Sequence, residues 1–520
     1  MKTRLLLLLP LVLASGLGTT WADVRLPSLF SDHMVVQAER SIAVWGWAAP
    51  GEAVNVALGD RTAAATADVQ GKWVARLATP AASRASHTLV VRGTNTLTIR
   101  DVLVGEVWLC SGQSNMEMQL KGLHGQVDRA DAEIAAADFP QIRMFQPDEV
   151  YDIYQLKVPP EAVQPDLPGK WIVCTPATAA KFIALGYFFA REVHQSLGVP
   201  VGLVHSSVGG TPIEAWTSRE AQAAVPALAP LLADWKKRLA GYDPAVEQAA
   251  SLAARRTWQQ QANAAKATGA AAPKAPAAFK NLRVSTPAGL YHAMIAPLIP
   301  FTFRGVLWYQ GERNAAGTFT GLYGLQLRTM IADWRTRWGD ELYFAVVQLA
   351  NFQKEQQAAS EPNGWGVAVR EGQRRALDVP RTGLAITIDL GGVTAGHPTN
   401  KAEFAHRLAL LALHDVYQQP IAIWSGPVFR SARRQGETML LEFDHATGLA
   451  ARSGAVRGFA LAGADGKFVW ADARIEGTAV VVSSPVVKEP AVVRYGWAAN
   501  PIGNLVNSAG LPASPFSSDE

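Results

Sequence analysis

The stretch Val102-Leu-Val-Gly-Glu-Val-Trp-Leu-Cys-Ser-Gly-Gln-Ser-Asn-Met116 decides the fold. Its apolar, β-branched first half predicts a buried strand, and the glycine and polar residues that follow predict a tight turn. Such a turn lifts the Ser114 hydroxyl off the edge of a sheet, beside the free N–H groups of the next helix. Ser114 is therefore the candidate nucleophile. Met116 stands where the Gly-x-Ser-x-Gly elbow of α/β-hydrolases has its second glycine, so a different hydrolase layout is needed.

Beyond Arg100, strand-like segments alternate with amphipathic helical segments. This alternation predicts an α/β fold with a three-layer α/β/α core and a mainly parallel sheet. The predicted strands are Val102–Leu109, Val201–Ser206, Val306–Tyr309, Leu342–Leu349 and Leu384–Asp389, and the predicted helices are Phe182–Leu197, Leu322–Trp338, Val367–Leu377 and Lys401–Tyr417.

Ligands of such sheets bind beyond the carboxyl ends of the strands. Nearly every predicted strand is followed there by polar residues or glycines. They are Ser114, Gly209-Gly-Thr211, Gln310 to Asn314, Gln348 with Asn351, and Asp389 followed by His397.

Two all-β domains are predicted to flank this core. Residues 23–100 and 421–520 both contain short strands separated by turn residues, and the second has a length usual for a β-sandwich. Residues 101–420 then form the catalytic domain, with a helical insertion at 218–285, and residues 121–170 are interpreted as a long polar connection.

Residues 1–22 combine a basic start, an apolar run and a small-residue end, which is typical of a secretory signal peptide. We therefore expect a periplasmic or secreted protein with no membrane attachment after cleavage. Export would permit a disulfide between Cys110 and Cys174, although a small buried thiol is favoured for Cys110.

The composition narrows the classes of partner. The net charge of +4 and the absence of a dense Lys/Arg run argue against nucleic acid, and 49% hydrophobic with 18% charged residues predicts a globular chain. No His/Cys cluster occurs at metal-ligand spacing, so neither a metal nor another cofactor is expected.

Serine hydrolysis needs a base close to the nucleophile. His397 lies in a glycine-containing loop beyond the last predicted strand, where it can reach a serine at the same sheet edge. Structural roles are favoured for five histidines in predicted strands, helices or β domains, namely His33, His194, His205, His406 and His445.

Several ordered motifs together resemble the sialate O-acetylesterase-like carbohydrate esterases of the SGNH hydrolase superfamily, over almost the whole mature chain. They are Leu26-Pro-Ser-Leu-Phe-Ser-Asp-His-Met34, Val44-Trp-Gly-Trp47, Trp108-Leu-Cys-Ser-Gly-Gln-Ser-Asn-Met116, Gly209-Gly-Thr-Pro-Ile-Glu-Ala-Trp216, Trp308-Tyr-Gln-Gly-Glu312, His397-Pro-Thr-Asn-Lys401 and Gly510-Leu-Pro-Ala-Ser-Pro-Phe516. The resemblance implies an SGNH-like core between two β domains and removal of O-acetyl groups from sugars.

The resemblance also implies roles for individual residues. Ser114 matches the nucleophile and His397 the general base. The Gly-Gly-Thr motif implies an oxyanion N–H at Gly210, or at Gly209 if the register shifts by one. A side-chain amide is expected to complete the oxyanion hole, with Gln310 as first choice and Asn314 as the alternative.

The chain also departs from the family pattern. SGNH enzymes usually carry an aspartate two or three residues before the histidine, where this chain has Ala395 and Thr394. Asp389 is the candidate for a third triad member, and a Ser-His dyad oriented by a backbone carbonyl is the alternative. Arg313 stands where the family more often has a serine, and either an acidic sugar or a rim salt bridge would explain it.

Three functions stay open at this point. The first is a carbohydrate O-acetylesterase acting on an acetylated carbohydrate. Plant polysaccharide fragments such as xylan or xyloglucan are favoured over 9-O-acetyl sialic acids, because the sequence has no basic cluster suited to binding a sialate carboxylate. The second is a catalytically silent carbohydrate-binding protein on the same scaffold. The third, a glycoside hydrolase, needs two facing carboxylates, and nothing pairs Glu312, Glu371 or Asp389 by spacing.

Overall fold

The computed structural model describes residues 23–148, 162–276, 279, 282–394 and 396–519. The predicted signal peptide, residues 1–22, lies outside the described residues, and so do residues 149–161 of the predicted polar connection.

One long strand, β7 (Thr96–Gly112), joins the N-terminal strands to the central sheet. Strands of the N-terminal β region pair with its first half, and core strands pair with its second half. The predicted domain boundary at residue 100 therefore falls inside a continuous strand. The N-terminal strands are β1 (Val35–Gln37), β2 (Ser41–Trp47), β3 (Ala53–Leu58), β4 (Arg61–Thr66), β5 (Lys72–Ala78) and β6 (Ser83–Arg92).

The central sheet has the order β11-β10-β12-β7-β13-β14-β15 within the described residues. Its strands are parallel except at the β10–β11 edge, which is antiparallel. The strands after β7 are β8 (Lys121–Gly122), β9 (Gly125–Gln126), β10 (Phe139–Pro147), β11 (Gly169–Cys174), β12 (Val201–Ser207), β13 (Gly305–Tyr309), β14 (Tyr343–Val347) and β15 (Thr382–Ala385).

Every residue of β12, β13 and β14 is buried. Because side chains alternate between the two faces of a strand, both faces of the sheet must be covered. The covering helices pack in pairs, α3 with α10 and α8 with α9. The helices are α1 (Ser114–Glu117), α2 (Ala130–Ala135), α3 (Ala184–Leu197), α4 (Arg219–Ala223), α5 (Ala229–Leu239), α6 (Pro244–Ala267), α7 (Glu312–Ala315), α8 (Tyr323–Trp338), α9 (Val367–Arg374) and α10 (Lys401–Leu411).

The C-terminal part forms two four-stranded antiparallel sheets, β16-β17-β22-β21 and β20-β19-β23-β25, with a separate apolar core around Leu441, Phe459 and Phe516. Its strands are β16 (Val428–Gln435), β17 (Thr438–Asp444), β18 (Ala450–Ala451), β19 (Phe459–Ala462), β20 (Val469–Trp470), β21 (Asp472–Glu476), β22 (Ala479–Ser483), β23 (Val492–Tyr495), β24 (Leu505–Val506) and β25 (Phe516–Ser517).

Two features of the sheet differ from the sequence prediction. Strand β10 lies within the predicted polar connection, and its Ile142, Met144 and Phe145 are fully buried. Strand β15 ends at Ala385, so Asp389 lies in the turn beyond it rather than on the strand.

Cys110 and Cys174 are buried free thiols, which leaves the permitted disulfide unformed. Helices long and apolar enough to cross a membrane do not occur in the part of the chain described.

Candidate active site

Ser114 follows the central strand and is the first residue of α1. The turn between them requires glycine at position 112, because φ is +140° there and a Cβ would lie 2.0 Å from the carbonyl oxygen of Tyr309. This close approach of β13 leaves the Ser114 side chain at the strand exit, where it is 7% exposed.

His397 is brought to the same strand exit. Its Nε2 lies 2.8 Å from Ser114 Oγ, a hydrogen-bond distance. The loop that carries His397 is held by Asn115, whose Nδ2 donates to the carbonyl oxygen of Gly396 at 3.1 Å. The structure therefore brings together the two residues predicted as nucleophile and base.

Asp389 has other partners than the predicted imidazole. Its Oδ1 accepts from Arg407 Nη1 at 2.6 Å and its Oδ2 accepts from Arg452 Nη2 at 2.7 Å. Burial alone would raise the pKa of Asp389, but hydrogen bonds and charge from the two arginines outweigh it and hold that pKa below its usual value. The expectation that Asp389 orients His397 is corrected: it is a paired structural carboxylate.

The loop after β12 supplies backbone donors. The N–H of Gly209 donates to Glu117 Oε2 at 2.7 Å and is therefore already used. Gly210 has a left-handed φ of +73°, and its N–H has no acceptor among the described residues. Of the two registers left open by the sequence, only Gly210 keeps its N–H for a ligand.

The amide of Gln310 is consumed inside the protein. Its Nε2 donates to Asn314 Oδ1 at 2.7 Å, to the carbonyl oxygen of Thr211 at 3.1 Å and to Gln113 Oε1 at 3.2 Å, and the side chain is fully buried. An amide nitrogen has two hydrogens, so Gln310 has none left for an oxyanion. Gln310, the first choice from sequence for the oxyanion amide, is therefore replaced by another amide.

Two neighbouring amides keep hydrogens to give. Asn314 Nδ2 donates one hydrogen, to Glu214 Oε2 at 3.0 Å. Gln113 precedes the nucleophile, its Oε1 accepts from the backbone N–H of Arg313 at 3.2 Å, and its Nε2 has no acceptor within the described part of the chain. Gln113 was missed because sequence reasoning sought the amide on another strand, although it stands next to the nucleophile.

A pair formed by a carboxylate and an imidazole lies beside His397. Glu117 Oε2 lies 2.7 Å from His124 Nε2, and the rings of His124 and His397 have their centroids 5.1 Å apart. Sequence reasoning named neither residue. The available signal was the position of Glu117 three residues after Ser114, one helical turn away on the same face.

A buried charged network lies behind the nucleophile. Asn115 accepts from Lys401 Nζ at 2.7 Å and donates to Glu312 Oε1. Burial lowers the pKa of Lys401 to about 7, although the charge of Glu312 opposes the shift, and burial raises the pKa of Glu312. The network connects the nucleophile turn to α7 and to α10, the helix that follows His397.

Arg313 is exposed, and its guanidinium has neither a hydrogen-bond nor a salt-bridge partner among the residues that the structure describes. The rim salt bridge considered from sequence is therefore not formed. Groups of three or more His, Cys, Asp or Glu able to bind a metal ion are likewise not found in the described positions.

Comparisons with known proteins identify a family for this chain. A family model described as carbohydrate esterase, sialic acid-specific acetylesterase, matches residues 104–250 and 221–411. The sialate O-acetylesterase of Mus musculus is 28% identical over 461 residues, covering 80% of this chain and 78% of the mouse protein. That of Homo sapiens is 29% identical over 469 residues, covering 81% of this chain and 76% of the human protein.

A solved structure is also similar. A carbohydrate acetylesterase from Xanthomonas citri is 37% identical to this chain with a TM-score of 0.75, and the match covers 96% of this chain and 100% of that protein. The chain therefore belongs to the carbohydrate esterase family of sialic acid-specific acetylesterases and is a carboxylic ester hydrolase.

Proposed function

We propose that this enzyme removes O-acetyl groups from sugar hydroxyls, with Ser114 as nucleophile and His397 as general base. The observation that carries the proposal is the 2.8 Å hydrogen bond between Ser114 Oγ and His397 Nε2. This is the contact that serine hydrolysis needs for proton transfer as the nucleophile attacks.

The reaction proceeds in two halves. Ser114 Oγ attacks the acetyl carbonyl carbon while His397 takes the hydroxyl proton, and the same imidazole then protonates the departing sugar oxygen. In the second half, water attacks the acetyl-enzyme while His397 takes a proton from the water. His397 then gives this proton to Ser114 Oγ as the ester bond breaks, which releases acetate and restores the serine hydroxyl.

We propose three donors for the oxyanion of each tetrahedral intermediate. They are the N–H of Ser114 at the start of α1, the N–H of Gly210, and Nε2 of Gln113. The last two are supported by the absence of another acceptor for either group within the described residues. Asp389 is paired with two arginines. In this proposal Ser114 and His397 therefore act without that carboxylate.

For the substrate, we propose acetylated plant cell-wall fragments such as those of xylan or xyloglucan. The modest net charge and the lack of a basic cluster support a neutral glycan. The second candidate is a 9-O-acetyl sialic acid. It is favoured by the relatives named as sialate O-acetylesterases and by the exposed guanidinium of Arg313, which has no partner among the described residues.

Hydrolysis of a model ester tests the proposed catalytic residues, and acetate release from glycans tests the proposed substrate. Wild-type enzyme is expected to hydrolyse 4-nitrophenyl acetate, and Ser114→Ala and His397→Ala are expected to lose about a thousandfold or more in kcat. Equal rates in all three would leave a silent carbohydrate-binding protein. A panel of acetylated xylan, xyloglucan and 9-O-acetyl N-acetylneuraminic acid separates the substrates, and Arg313→Ser is expected to weaken only hydrolysis of the sialate.

We also propose an exported enzyme, on the basis of residues 1–22. Amino-terminal sequencing of protein recovered from the periplasm or medium is expected to begin after Ala22. A retained leader in the recovered protein would contradict this.

A further inference from the structure

We propose that His124 is a substrate-binding residue, whose Nδ1 hydrogen-bonds a hydroxyl of the sugar that carries the scissile acetyl group. This inference rests on the proposed function and assigns a sugar-binding residue to the same site. It follows from where the His124 ring lies, what holds it and which atom it leaves available.

The β8–β9 hairpin places His124 at the catalytic pair. Its ring lies 5.1 Å from the ring of His397, with 35° between the ring planes. His124 is one of the two turn residues of this hairpin and has a φ of +65°, a conformation that residues other than glycine adopt at some cost. The hairpin thus holds an imidazole beside the general base in an unfavourable backbone conformation.

The His124 ring is held by Glu117, which also contacts the glycine loop after β12. Its Nε2 lies 2.7 Å from Glu117 Oε2, on a carboxylate whose side chain is 1% exposed. The same oxygen accepts the N–H of Gly209, so Glu117 links His124 to the loop that carries Gly210. A carboxylate only accepts, so Nε2 carries the proton in this bond.

Nδ1 is the atom left for a ligand. It has no hydrogen-bond partner within the described residues, and the His124 side chain is 21% exposed. Because Nε2 is occupied by Glu117, and Ser114 Oγ is already bonded to His397, His124 is not placed to act as the base. In the neutral ring, Nδ1 is a hydrogen-bond acceptor, and a sugar hydroxyl is the complementary donor.

Two isosteric variants separate binding from a structural role. His124→Asn keeps a polar atom close to the position of Nδ1 but loses the contact with Glu117. His124→Gln keeps a donor for Glu117 but has no acceptor at the position of Nδ1. Gln126→Ala, an exposed residue of the same hairpin, is the matched control.

The probes are 4-nitrophenyl acetate, which has no sugar, and three mono-O-acetylated glycosides, of xylose, galactose and N-acetylneuraminic acid. We expect His124→Gln and His124→Ala to lower kcat/KM for the best glycoside by about 3–10-fold, mainly through KM, as for one lost hydrogen bond. The loss of His124→Gln on 4-nitrophenyl acetate is expected to be smaller than its loss on the glycoside, and Gln126→Ala is expected to leave both rates unchanged. His124→Asn is expected to retain more glycoside activity than His124→Gln.

The opposite pattern overturns the proposal. If His124→Gln retained activity on both substrate types while His124→Asn lost both, the ring would serve only to hold Glu117 and the glycine loop. Wild-type enzyme that hydrolyses 4-nitrophenyl acetate but no glycoside also contradicts a sugar-binding residue. Failure of the proposed function is separate, because it shows as undiminished 4-nitrophenyl acetate hydrolysis in Ser114→Ala.

Discussion

Asp389 Oδ1 lies 2.6 Å from Arg407 Nη1, and this pair is buried against the core at the exit of the last strand. The side chains are 14% and 7% exposed, so the ion pair is largely shielded from water. A second arginine, Arg452, reaches the other carboxylate oxygen from the C-terminal part of the chain. The acid that sequence reasoning assigned to catalysis therefore joins the core to the C-terminal β region.

Asp389→Asn is expected to change stability and not chemistry. Removing the carboxylate leaves Arg407 buried without its closest counter-ion, which should lower the free energy of unfolding by about 2 kcal/mol. We expect kcat on 4-nitrophenyl acetate to stay within about threefold. Urea unfolding and steady-state kinetics measure both quantities.

The control for this variant is Arg452→Gln. Arg452 is 48% exposed, so its loss should cost less than about 1 kcal/mol. A fall in kcat of about 10⁴-fold in Asp389→Asn, as for loss of a triad aspartate, would restore the catalytic assignment.

Gln113→Ala is expected to lower kcat for acetyl esters by about a hundredfold. Its Nε2 is the amide donor beside the nucleophile that no described residue occupies, and loss of one oxyanion donor typically costs this much. Asn314→Ala is the matched comparison and is expected to retain kcat within about tenfold. Near-normal kcat in Gln113→Ala with a hundredfold loss in Asn314→Ala would assign the donor to Asn314.

Continuous apolar runs made the parallel strands of the core predictable from sequence, because a strand buried on both faces has no polar alternation. Strand β10 was missed since Pro140 and Arg143 interrupt its apolar run. Arg143 is nevertheless buried and donates to the carbonyl oxygen and carboxylate of Asp101, a compensation that only tertiary structure provides.

The approach of Ser114 and His397 was predictable because the carboxyl ends of parallel strands meet at one sheet edge. The hydrogen-bond partners of the polar residues around them were not predictable. Gln310 is an amide at the correct strand exit, yet three acceptors, from two other loops and from the helix that follows it, use its hydrogens. Hydrogen-bond saturation depends on distances between segments far apart in sequence, which residue spacing does not encode.

His205→Gln is expected to reduce the sensitivity of the fold to acid. Burial lowers the pKa of His205 to about 4 from its ordinary 6.5, so between these values the unfolded chain binds a proton that the folded chain does not. Stability is therefore full above pH 6.5 and falls as the pH drops towards 4. Wild type should lose about 3 kcal/mol more than the variant between pH 7 and pH 4.

His406→Gln provides a control of opposite sign. The hydrogen bond from Glu192 raises the pKa of His406, so the stabilisation is present below pH 6.5 and is lost as the pH rises through the folded-state pKa. Because this side chain is 45% exposed, its effect should be small. Urea unfolding at pH 4, 5.5 and 7 measures both variants, and parallel curves for wild type and His205→Gln would contradict the expectation.

Glu312→Gln and Lys401→Met are expected to be strongly non-additive. Lys401 is fully buried and bonded to Asn115 Oδ1, and Glu312, whose Oε2 is buried, is bonded to Nδ2 of the same amide. Asn115 therefore lies between two ionisable groups that are shielded from water. Either single variant leaves one of these groups without its opposite partner in a poorly solvated site, which should cost about 3 kcal/mol. The double variant removes both ionisable groups together, so its cost should fall below the sum of the two singles by about 1 kcal/mol or more.

The Lys401→Met variant is also expected to lose activity. Lys401 and Asn115 hold the turn of Ser114 against the loop of His397 through the carbonyl oxygen of Gly396, so Lys401→Met should lower kcat on 4-nitrophenyl acetate by about tenfold or more through displacement of the imidazole. Restoring stability in the double variant should not restore kcat, because the amide of Asn115 still lacks its lysine donor. Additive unfolding free energies, or wild-type kcat in Lys401→Met, would show that the buried network does not hold the catalytic pair together.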